Sequence, residues 1–259
     1  MRGAVLRVLL AFVVLVVTGL GWTGWRIHSR LHPEPPDVAA VAGAAPTLTA
    51  HQQAAAFSDL LAAQLRAATP WAAFQDSSVA DLCRTVLVAP RRSAAPQWSP
   101  VGCSRTTVVY VAFDGDLEQR LADLDRTMVG LRWTPGPSDG SDPGAGLVRQ
   151  LHRDGPNSVA VHHHPTGAPP DDPAAAVLTV AVADRPAAGS GLPLVPGSWD
   201  DWHGVGDADG RPDPGRPNRS DRAVVLDWRR VDGIELSARA HARHRYLAAF
   251  GLSQVYTTV

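Results

Sequence analysis

Three consecutive histidines, His162, His163 and His164, come nearest in this chain to the raw material of a metal centre. On an extended segment side chains alternate, so His162 and His164 would share one face and His163 would point to the other. A third ligand from His152, Asp171, Asp172 or His203 would then complete a zinc-like set able to activate water for hydrolysis. The helical HExxH spacing of metallopeptidases is missing, however, and a histidine run ahead of Pro165 also suits a solvated strand edge. The expectation is that no metal or other cofactor is bound.

A second candidate is Trp199-Asp200-Asp201-Trp202-His203. Tryptophan faces beside carboxylates can stack on a sugar ring while hydrogen-bonding its hydroxyls, which makes this segment a candidate ligand surface. The same pair of indoles would equally pin a long loop onto a core. His241 and His244 lie three apart, but Arg239, Arg243 and Arg245 crowd them with positive charge that opposes a dication. The acidic stretch from Asp207 to Asp213 lacks the bidentate glutamate of a calcium loop and reads as turn chemistry. Neither a GxSxG elbow, a Walker A loop nor a GxGxxG fingerprint occurs. Cys103 could act as a nucleophile only if unpaired.

Elements must hold these residues in place, and the first is hydrophobic. Between Arg7 and Arg26 lie 18 residues without a formal charge, long enough to cross a bilayer as a helix. Trp22, Trp25, Arg26 and Arg30 border the run like an interfacial belt. A cleaved signal peptide is the competing reading, but Gly19-Leu20-Gly21 ahead of Trp22 makes a poor cleavage site. Residues 1–30 are therefore expected to be a cytoplasmic tip and transmembrane anchor that meets the lipid bilayer through residues 8–25. The Pro- and Ala-rich segment 31–46 is expected to be an extended stalk. Residues 47–259 should form the folded domain, with a Gly-, Pro- and Asp-rich loop at 185–222.

Cys83 and Cys103 are the only cysteines. An even pair in an exported domain suggests a disulfide, here drawn across an irregular, proline-bearing loop. That pairing, more than the balanced arginines around the span, places the C-terminal domain outside the cytoplasm. The net charge of -1 provides no basic field for nucleic acid. Lysine is absent, and Ala, Gly, Pro and Arg are abundant in the manner of a high-GC bacterial sequence.

Thr49 and Gln52 suggest a capping box for a helix over 49–68 whose apolar positions are Ala54, Phe57, Leu61, Leu65 and Ala68, with Trp71 and Phe74 as anchors beyond it. A strand is expected at 105–113, a turn at 114–116, and a helix carrying Leu117, Leu121, Leu124 and Met128 on one face until Gly130. Further strands are expected at 147–152, 158–164, 176–183 and 223–228, with a hairpin turn at 154–157. Residues 234–250 fit a helix better than a strand. This order predicts an α+β fold, a largely antiparallel sheet with helices packed on one face. The function expected is a non-catalytic envelope protein that binds another envelope protein or a cell-wall glycan, the alternative being an anchored hydrolase using His162 and His164.

Overall fold

The computed structural model describes residues 33–88, 95–136, 146–156, 159–167, 176–184 and 221–259. The predicted membrane span and the 185–220 stretch lie outside these residues. Among the described residues no helix is long and apolar enough to cross a membrane.

An eight-stranded sheet organises the domain. Helices α1 (Val38–Gly43) and α2 (Ala45–Ala68) precede strand β1 (Ala73–Val88), the short β2 (Gln97–Trp98) and β3 (Gly102–Phe113). Next come α3 (Leu117–Gly130), β4 (Trp133–Pro135), α4 (Leu147–Asp154), β5 (Val159–Pro165) and β6 (Val177–Ala183). Strand β7 (Asp221–Arg229), helix α5 (Gly233–His241) and strand β8 (Tyr246–Thr258) complete the order. The strands run β2-β1-β3-β8-β6-β5-β4, with β7 beside β2 on the outer edge of β1, and the pairings are antiparallel.

Helices cover both faces, which corrects the one-sided arrangement expected from the element order. Leu61 and Leu65 of α2, Leu121, Leu124 and Met128 of α3 and Leu147 of α4 pack on Val109, Val111 and Phe113. Leu236 and Ala240 of α5 pack on Val108, Tyr110 and Ala112. Neighbouring residues of β3 point to opposite faces, so α5 sits across the sheet from the other three.

Other departures have local causes. The expected stalk is partly helical, because Val38 and Ala42 of α1 bury themselves against the Cys83–Cys103 pair. Helix α2 starts four residues before Thr49, with Pro46 in its first turn, so Thr49 is internal and its hydroxyl donates to the Ala45 carbonyl at 3.0 Å. Phe57 and Phe74 remain 39% and 45% exposed, whereas Trp71 does pack on the core, edge-on to Phe113.

Residues 147–154 form a helix rather than a strand. Leu147, Val148 and Leu151 fall on its core side, and Asp125 of α3 accepts the Leu147 N–H at 2.9 Å and the Val148 N–H at 3.4 Å. This cap is tertiary: a Cβ at Gly146 would sit 2.6 Å from the Asp125 carboxylate, so only glycine admits it. Gly155, at φ 82°, then ends the helix where a hairpin turn was expected.

The last part of strand β1, residues 83–88, occupies sequence expected to begin the irregular loop between the cysteines, and the polar residues earlier in the strand mask any alternation. Residues 234–250 divide between α5 and β8, which lies between β3 and β6 and is buried continuously from Tyr246 to Leu252. A strand covered on both faces shows no period of two. The strand at β3, the Asp116 cap and the four buried apolar positions of α3 are as expected.

Candidate functional site

Strand alternation and one covalent bond assemble the main polar cluster. Cys83 and Cys103 are bonded, fully buried and directly opposite each other in the β1–β3 register. Two residues along each strand on the same face, Asp81 must then oppose Arg105, and it does. Asp227 of β7 stands opposite Asp81 on the other side, and Gln254 of β8 opposite Arg105. A single row of polar side chains thus crosses four strands.

Asp81 is fully buried, and its carboxylate is closed in by donors. Oδ2 accepts from Arg105 Nη1 at 3.0 Å and from His51 Nδ1 of α2 at 2.8 Å. Oδ1 accepts from the Tyr256 hydroxyl at 2.5 Å. The same Arg105 nitrogen reaches Asp227 Oδ2 at 3.2 Å. Tyr256 arrives by a register shift: between Cys103 and Ser104 the partner moves from Thr257 to Val255, so Tyr256 is the extra residue of a β-bulge. Burial and then the bond to Asp81 push its phenol above the ordinary range, which keeps it a hydrogen-bond donor.

A carboxylate only accepts, so His51 Nδ1 carries the hydrogen directed at Asp81. The His51 side chain is 22% exposed. Chemically the cluster orients the His51 imidazole and fastens α2 to the sheet, helped by Gln254, which donates to the Ala54 carbonyl at 2.8 Å. Removing one partner from a buried pair of this kind strands the other charge, at a cost of about 3–5 kcal/mol. None of these residues is singled out by motif. The symmetric spacing Asp81-x-Cys83 and Cys103-x-Arg105 is the signal that could have found the central pair, once both segments are read as strands.

A surface pocket of about 300 Å³ lies where β7 leads into α5. Arg229, Arg230 and Arg239 line it with Asp76, Asp232 and Glu235. Its charges largely answer one another: Arg239 approaches Asp76 at 3.6 Å, Arg229 donates to Ser77 Oγ at 2.7 Å, and Asp232 caps the Ile234 and Glu235 N–H groups of α5.

His162 and His164 lie on one face of β5 and His163 on the other, as alternation requires. They do not gather a ligand set: among the described residues no three His, Cys, Asp or Glu side chains converge as a metal would need. His162 Nδ1 bonds Thr179 Oγ1 at 2.8 Å. His164 packs on Gly136, where a Cβ would stand 2.1 Å from its ring. His152 sits on α4 and meets Glu118 at 3.2 Å, on the side of the sheet that faces the main core. Asp171, Asp172 and His203 lie outside the described residues, as do Trp199, Asp200, Asp201, Trp202 and the Asp207–Asp213 stretch.

His163 is fully buried opposite Leu178, and neither ring nitrogen finds a hydrogen-bond partner among the described residues. Burial lowers its pKa from 6.5 to about 4, only partly offset by the backbone at Val161 and Leu178. His241 is largely buried on α5, whereas His244 lies beyond that helix with Nδ1 2.8 Å from Asp114 Oδ2, so they form no shared basic face. Compared with known protein families, curated proteins and solved structures, the chain matches none.

Proposed function

We propose that this chain is a membrane-tethered protein of a bacterial envelope whose domain lies outside the cytoplasm and acts by binding rather than by catalysis. The Cys83–Cys103 bond is the observation that carries the reading. It joins two interior strands of the sheet and is fully buried, and disulfides of this structural kind persist where the surroundings are oxidising. The 18-residue uncharged run supplies the tether. The polar cluster around Asp81 supports a binding scaffold, because its hydrogen bonds are spent on fastening α2, β1, β3 and β8 together.

The partner is another envelope protein or a cell-wall glycan, and Trp199 to His203 is the segment proposed to meet it, on the chemistry of its indoles and carboxylates. Alkaline phosphatase fused after Val259 tests the placement, with activity expected in intact cells. An inactive fusion, or a soluble form lacking residues 1–30, would overturn it. Pull-down with wild-type protein and Trp202→Ala tests the segment: loss of the captured partner with unchanged thermal stability supports a ligand surface. Unchanged capture removes it.

A further inference from the structure

One end of the sheet gathers an unusual set of residues. Strand β1 finishes there, with Val86 and Val88 38% and 54% exposed. Leu87 pairs with Trp98 of β2, Val86 with the first residue of β7, and Arg84 with Gly102 at the start of β3. The Arg222 guanidinium stands 5.4 Å from the centre of the Trp98 ring. The Trp98 indole N–H donates to the Pro33 carbonyl at 2.9 Å. Pro33 is therefore held at this end, and α1 continues from it with Val38 and Ala42 buried.

We infer that this end of the domain rests on the phospholipid surface, with Val86, Val88 and Trp98 at headgroup level. The inference depends on the tether proposed above, and it replaces a free stalk with a short leash. Only seven residues, 26–32, separate the uncharged run from Pro33. Fully extended they reach no more than about 30 Å. The far end of β3 lies about 40 Å from the near end along a twelve-residue strand, so the leash decides which end of the sheet faces the bilayer. The residues waiting there suit that neighbour. Indoles partition to the membrane interface, and two exposed valines gain by leaving water.

The test uses full-length protein in phosphatidylcholine–phosphatidylglycerol vesicles containing a nickel-chelating headgroup lipid. A nitroxide is attached at Val88→Cys near the sheet end and, as the distant control, at Glu118→Cys beside the turn that follows β3. Gln97→Cys repeats the near-end measurement if the first variant folds poorly. Relaxation by surface nickel is expected to be severalfold stronger at 88 or 97 than at 118. Protein that floats with the vesicles but shows equal enhancement at both ends, or more at 118, overturns the inference and leaves the tether standing. Protein that does not float overturns both.

Discussion

Protonating His163 should unfold this protein from within. The ring is fully buried in the lateral row formed with Leu178 and Leu252, neither ring nitrogen has a hydrogen-bond partner among the described residues, and the backbone at Val161 and Leu178 offsets only part of the effect of burial. Its folded value of about 4 lies below the ordinary 6.5, so as pH falls the unfolded chain binds the proton first. The stability this histidine contributes is complete above pH 6.5 and is lost as pH drops toward 4. Between pH 7 and pH 5 the loss is about 2 kcal/mol, and it approaches about 3 kcal/mol below pH 4. His163→Leu removes both the titration and an unsatisfied buried dipole, so it should stabilise the domain even at neutral pH, by about 1–3 kcal/mol. The decisive quantity is a double difference, which cancels the other histidines: urea unfolding of wild type and variant at pH 7 and at pH 5. The gap between the two proteins should widen by about 2 kcal/mol at the lower pH. Parallel pH dependences would refute the reasoning and mean that the ring stays neutral, or finds a partner, in both states.

Asp81→Asn should cost about 3 kcal/mol by urea unfolding, because the amide puts a donor where Arg105, His51 and Tyr256 all donate. A cost below 1 kcal/mol would show that the cluster is not what fastens α2. Reducing the Cys83–Cys103 bond, which closes a separation of 20 residues, should lower stability by about 3 kcal/mol, and folded unreduced protein should offer no thiol to maleimide. Arg132 holds φ 62° just after α3, a left-handed conformation that strains any side chain, so Arg132→Gly should raise stability by about 1 kcal/mol in thermal or urea unfolding. A destabilised variant would mean that the arginine side chain repays the strain.

Local chemistry was enough to read part of this fold. Strand β3, the Asp116 cap, the buried stripe of α3 and strands β5 to β7 each carry their signal within a few residues, as alternation, a capping side chain or a helical period. The disulfide was legible too, because a lone pair of cysteines has few alternatives. What only the tertiary structure decided involves residues whose environment comes from elsewhere in the chain. Strand β8 is covered on both faces along Tyr246–Leu252, and polar residues interrupt the apolar positions of β1, so neither shows the alternation that marks a strand. Helix α4 takes its cap from Asp125, 22 residues earlier in the chain. Asp81 and Arg105 look like ordinary surface charges until the Cys83–Cys103 register sets them opposite each other, and His51 and Tyr256 join them only through the docking of α2 and a bulge in β8. Alternation alone set His163 on the face opposite His162 and His164, but only packing made that face dry and left its ring nitrogens without a partner among the described residues.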